Sequence, residues 1–284
     1  MNTGLLWVTH AKDISWFRIS AESFHKFAFG WDHPLCIVPT QDADLFRPVC
    51  EANGIECRGL EEWSDKPFNW HQFIKSTADI QIPEADVIYH IDADSVFAQP
   101  CTPSDWMKDG KILIPYTPYD CFLKRPEDED EMLTFMGYTG KKVDFDRGQY
   151  NWRFAVEYAL GHRVDRECMG WQPIVHKKEV YEKMRDLMNE RWPGRGFDGY
   201  VRSCRDVHPQ SYCEFNTLGA VAHKYFEKDY EWWDLSAHGH YPFYGKVIQS
   251  WSHGGLDRPH DYSAQVPSSD INTPRKLFTH LGLL

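Results

Sequence analysis

Short apolar runs alternate with segments of helical period over roughly the first 100 residues, which limits the fold to α/β classes. "GLLWVTH" is an apolar strand with a polar end. "DISWFRISAESFHKFA" follows, with Ile14, Phe17, Ile19, Phe24 and Phe27 spaced for one helix face. "PLCIVP" and "IECRGL" are further strands, separated by the helical stretch "DADLFRPVCEANG", which Gly54 closes. "NWHQFIKSTADI" reads as a helix and "DVIYHIDADSVF" as the strand after it. Such alternation predicts a mostly parallel sheet with right-handed crossovers, and ligands in open sheets of this kind bind beyond the carboxyl ends of the strands. Thr9, His10, Asp13, Pro39, Asp42, Asp92 and Asp94 all fall at those ends.

Beyond the strand "KILIPY" the pattern loosens. "KRPEDEDEML" is an acidic run that reads as a solvated loop or helix start. "NWRFAVEYALG", "KEVYEKMRDLMNERW" and "SYCEFNTLGAVAHKYF" read as helices, and "MGWQPIVHK" as a turn with a short strand. "VIQSWSHGG" is a last strand entering a glycine-rich loop, and "VPSSDINTPRKL" reads as a polar linker. No repeat or linker divides the chain. One domain is expected over residues 1–284, with a regular strand–helix half over about 1–115 and a more irregular half over about 116–284.

Asp92 and Asp94 stand one residue apart at the end of an apolar run, where like charges repel and burial without a partner is costly. A cation between them resolves this. A calcium loop would need an acidic or amide side chain, a glycine and a glutamate where Val96, Phe97 and Pro103 stand, so that reading fails. "IDADSV" also fits the motif of haloacid-dehalogenase-type phosphatases, with Asp92 as nucleophile and Asp94 as general acid/base. That motif usually follows the first strand of its sheet; three strand–helix units precede this one. The third chemistry is a metal–diphosphate clamp, in which carboxylates hold Mn²⁺ or Mg²⁺ against the charge on a departing nucleoside diphosphate.

The order strand, "TH.KD", helix, "IVPTQDADLF", helix, "HQFIK", "VIYHIDADSVF" resembles the GT-A glycosyltransferases, the nucleotide-diphospho-sugar transferase superfamily, over residues 5 to 100. The resemblance implies a GT-A (Rossmann-like) sheet, a divalent cation (Mn²⁺ or Mg²⁺) and a UDP-linked sugar donor. It makes the half over about 1–115 the nucleotide-sugar half and that over about 116–284 the acceptor half. On it, Asp94 is the direct metal ligand, and Asp92 contacts the ribose or the metal. Small Ala93 lets the nucleotide approach, Thr9, His10 and Asp13 lie on the base side, and Lys75 pairs with a phosphate or with Asp92. "SWSHGG" supplies His253 as a late metal ligand, with glycines that let the backbone close over a diphosphate. "SYCEFNTLG" supplies Glu214 as the base of an inverting transfer, or as a sugar-binding group if configuration is retained. Trp171, Gln172 and His176 are candidates for the acceptor site, and each has a core or surface reading beside it.

Acidic residues outnumber basic ones 42 to 31, a net charge of −11 that disfavours broad binding to nucleic acid or anionic membrane. No apolar run approaches the roughly 18 residues of a membrane span, and "MNTGLLWVTH" lacks the basic start and apolar core of a signal peptide. The 8 cysteines include no CxxC pair, which suggests reduced thiols in the cytoplasm. The aromatic share of 15%, with 12 Trp, leaves room for a non-catalytic carbohydrate-binding protein as a further reading.

Overall fold

The computed structural model of the protein describes residues 1–122, 148–169, 172–205, 211–239, 243, 245–250, 255–259, 262 and 271–284. Strand β1 (Thr3–Val8) is buried along its whole length, as a strand covered by helices on both faces must be. Helix α1 (Ile14–Phe27) covers it with Phe17, Ala21 and Phe24, and Ser20 Oγ accepts from the buried Trp7 indole at 3.1 Å. Next come β2 (His33–Pro39), α2 (Ala43–Ala52) and β3 (Glu56–Leu60). Helix α3 (Pro67–Ser76) opens with proline in its first turn, where the missing N–H has no intrahelical partner to lose, and α4 (Ala78–Gln81) extends it.

The run expected as one strand is two. β4 (Val87–His90) stops before the aspartates, and β5 (Ser95–Phe97) leaves in another sheet. Between them Ser95 N–H donates to the Asp92 carbonyl at 3.0 Å, turning the chain and releasing both carboxylates from the ladder.

After β6 (Met107–Lys108) and β7 (Lys111–Pro118) come α5 (Gly148–Leu160), β8 (Arg166–Glu167), β9 (Ile174–Lys177), α6 (Lys178–Arg191) and α7 (Gly196–Ser203). The chain goes on through α8 (Glu214–Phe226), β10 (Tyr230–Asp234), α9 (Leu235–His238), β11 (Val247–Gln249) and α10 (Pro274–His280).

The main sheet runs β3-β2-β1-β4-β9, parallel except for β9, which pairs antiparallel with β4. The strand order reverses at β1 and β4, where crevices form in open α/β sheets. A second sheet, β10-β7-β6 with β8 pairing antiparallel to β7, and a ribbon of β11 with β5 complete the strands among the described residues. The chain is thus α/β with a mostly parallel sheet flanked by helices. No described helix is long and apolar enough to cross a membrane.

Two further expectations need correction. The "VPSSDINTPRKL" segment is no mere linker: its end forms α10, whose Leu277 and Phe278 bury against Trp16, Ile19, Val96 and Ile248. Thr273 caps that helix, and Lys26 Nζ donates to the Leu281 carbonyl at 2.7 Å. His176 is no acceptor-site residue. β9 pairing sets it opposite Ile88, fully buried, near Tyr181 and Tyr230, with neither ring nitrogen hydrogen-bonded. Burial alone pushes its imidazole down to about 3. The acidic run "KRPEDEDEML", Trp171 and His253 lie outside the described residues.

Candidate functional site

A cavity of about 600 Å³ opens beyond the carboxyl ends of β1 and β4. Val8, Thr9 and Asp13 line it from β1 and the turn after it. His71, Gln72 and Lys75 come from one face of α3, and Asp92, Ala93 and Asp94 from the turn after β4. Glu214 and Phe215 enter at the start of α8, Gln172 just before β9 and Gln249 at the end of β11. Thr9, Asp13, Lys75, Asp92, Ala93, Asp94, Gln172 and Glu214, separated by up to 205 residues in sequence, therefore meet on one surface.

Lys75 is the hub. Its Nζ lies 2.8 Å from Asp92 Oδ1 and 3.5 Å from Glu214 Oε1, with the Phe215 ring centroid 4.8 Å away. The ammonium is 4% exposed. Burial pulls its pKa down, but the Asp92 and Glu214 carboxylates outweigh that and hold it above the ordinary lysine value. Asp92 answers in kind: burial pushes its carboxyl up, and Lys75, by charge and hydrogen bond, brings it below the usual carboxylate range.

Both oxygens of Asp92 are occupied. Oδ2 accepts from Gln172 Nε2 at 3.0 Å and from Gln249 Nε2 at 3.3 Å. The same Gln249 amide reaches Asp94 Oδ1 at 3.5 Å, so one oxygen of each aspartate converges on a single point. Glu214 is fixed by α3 as well, since Gln72 Nε2 donates to its Oε2 at 3.0 Å.

His71 Nε2–H donates to the Val8 carbonyl at 2.6 Å, which fixes its tautomer. Burial first, then the Lys75 charge, drives its imidazole down to about 3, so it faces the cavity neutral. His10 stacks on His71 with ring centroids 5.7 Å apart and lies within 3.1 Å of Glu62 Oε1. It braces His71 and does not line the cavity.

Sequence reading missed His71, Gln72 and Gln249. The first two carry a usable signal: residues 71, 72 and 75 share a helix face, so whatever Lys75 meets they meet too. Gln249 carries none, because it arrives through the pairing of Gln249 with Ser95 across the ribbon.

The donor set was tested against a divalent cation. Two hard carboxylates converge where the Gln249 amide now stands, and Thr9 Oγ1 and Gln172 Oε1 on the same wall are buried without a hydrogen-bond partner. Among the described residues no group of three or more His, Cys, Asp or Glu side chains forms a metal cage. Magnesium-type ions bound with phosphate need none, because one or two carboxylates share them with phosphate and water. Asp92 and Asp94 fit such an ion. No protein-family model matches the chain, and no curated protein does.

Proposed function

We propose that the chain is a metal-dependent GT-A-type glycosyltransferase that moves a sugar from a nucleoside-diphosphate donor, UDP-linked by the resemblance, to an acceptor hydroxyl. The observation that carries this reading is the cavity's charge. Four carboxylates (Asp13, Asp92, Asp94 and Glu214) face one ammonium, Lys75, among its described lining residues. A diphosphate meets net repulsion there unless a divalent cation enters with it. When bound, that cation offsets charge developing on the departing diphosphate.

Asp94 is the principal ligand in this reading, as the resemblance implies, with Asp92 beside it paired to Lys75. Thr9 Oγ1 and Asp13 offer an acceptor and a charge to the base and ribose. His253 is retained as a further candidate ligand. In an inverting transfer Glu214 takes the acceptor hydroxyl's proton while its oxygen bonds to the anomeric carbon. The bond from that carbon to the diphosphate oxygen breaks, and its electron pair leaves with the diphosphate. Gln172 stands on the acceptor side with Trp152, Met169 and exposed Phe68.

Two observations count against the rivals. The phosphatase motif usually follows the first strand of its sheet, and here β1, β2 and β3 precede the strand that ends at Asp92. A lectin has no need of a buried Lys75–Asp92–Glu214 cluster. The 8 cysteines are free thiols, which suits a reducing compartment such as the cytoplasm.

The test is a thermal-shift panel of nucleoside mono- and diphosphates with and without Mn²⁺, on the wild type and Asp94→Asn. A ligand at ~100 times its Kd stabilises by about 2.7 kcal/mol. The expected outcome is stabilisation by one diphosphate only when Mn²⁺ is present, lost in the variant. Equal stabilisation in Asp94→Asn, or none by any nucleotide, overturns the reading.

A further inference from the structure

A second cavity, of about 440 Å³, shares α5 and α8 with the first. Trp152 lines one and Arg153 the other, while α8 gives Glu214 to the first and His223 and Lys224 to the second. Its charge has the opposite sign. Among its described lining residues Arg153, Arg163, Arg166 and Lys224 outnumber Asp120 and Asp165, both exposed, in a chain of net charge −11. Four cations gathered on one concave wall of an acidic protein call for an explanation.

Arg166 supplies it. Its guanidinium sits in the corner of two rings set at 74° to each other, 4.5 Å from the Tyr116 centroid and 4.7 Å from that of Trp232. These cation–π contacts hold the group in place without using its N–H donors. Arg166 Nη1 is buried and has no hydrogen-bond partner. His162 Nε2, on the same wall, is buried and unpartnered too. Buried polar groups nearly always have a partner, so two orphans lining one basic cavity point to an acceptor that comes from outside. Arg153, 4% exposed, is held on the same wall by its ion pair with Glu157 Oε1 at 2.9 Å.

We propose that this cavity binds the oxyanion group, phosphate or carboxylate, of a small molecule. Arg166 donates to it through Nη1, His162 bonds to it, and exposed Lys224 and Arg163 close the rim. The proposal stands whether or not the first cavity transfers sugars.

The two cavities can be told apart by their tryptophans. Indole ¹⁵N–¹H spectra of the full chain, titrated with inorganic pyrophosphate and separately with citrate in the absence of divalent cations, read both at once. The Trp232 resonance, assigned with Trp232→Phe, should move saturably. The probe that binds tighter names the group. Arg166→Met, which keeps an apolar filler beside the rings, should weaken binding by about tenfold or more, the loss of a charge-assisted hydrogen bond. If that variant does not fold, Lys224→Ala at its exposed position should still weaken binding severalfold. A response confined to Trp152, no response of Trp232 to either probe at millimolar concentration, or unchanged affinity in the variants overturns the proposal.

Discussion

Lys75 holds three elements together, because its partners come from the turn after β4 and from the start of α8. Lys75→Met leaves two carboxylates facing each other in a largely dry site. Removing one partner of a buried pair costs about 3–5 kcal/mol, so urea unfolding should show a loss of that size. Glu214→Gln keeps the hydrogen bond from Gln72 and should leave nucleotide binding intact. If Glu214 is the base, turnover should fall by about 10²–10⁴-fold, read as kcat with KM for the donor unchanged. His176 gives a pH prediction. Its folded pKa of about 3 lies below the unfolded imidazole's 6.5, so the unfolded chain binds the extra proton, and stability falls as pH drops below 6.5. Between pH 6.5 and 5 that is about 2 kcal/mol, and His176→Leu, filling the same apolar site, should remove it from the acid limb of urea-derived stability. The DxD pair was legible as a site needing a positive partner. That the partner nearest Asp92 is Lys75 was one of two options, since helix position alone does not say how deep a lysine lies.

Helix α8 owes its close seat to Gly219. A Cβ there would stand 2.5 Å from Cys168 Cβ and 2.6 Å from its Sγ. The sulfur can rotate away, but the Cβ moves only with its backbone. Gly219→Ala should therefore cost about 1–3 kcal/mol by overpacking, seen as a lower urea midpoint with an unchanged slope. Helix α10 braces the ribbon that carries Gln249. Leu277→Ala should cost about 2–5 kcal/mol, and because Ile248 is among the contacts, nucleotide-dependent stabilisation should weaken with it. The first four strands and α1 to α3 were legible because each has a local period. β10 and α7 were not, and β11 was read as a strand but its pairing with β5 was not. "YEWWD" becomes a strand by lying parallel to β7, with Trp232 beside Ile114, a pairing that residues more than 100 apart decide. The final helix was hidden by its polar approach, although "NTPRKLF" holds a threonine cap and a proline in the first turn.

The whole molecule separates charge by place: an acidic cavity at the sheet's switch point and a basic one beside α5 and α8, in a chain of net charge −11. Screening and specific neutralisation should then behave differently. Raising monovalent salt damps charges over roughly 8 Å at physiological strength and should not replace the divalent cation in nucleotide stabilisation, whereas a chelator should abolish it. A thermal-shift series in EDTA at rising NaCl checks this, and salt that substitutes for the cation would count against a directly bound ion. The shape of the N-terminal half was readable because parallel strands repeat a motif; the enclosure of the site was not, because residues as late as Gln249 form its wall. That wall has a consequence for how the protein is made. A ribosome that has delivered β1 to β4 has delivered every strand of the parallel set, yet Glu214 and Gln249 are still unsynthesised, and Lys75 and Asp92 have only each other. The half-made chain can begin to fold, but the complete pocket can form only once the last strand has paired with β5.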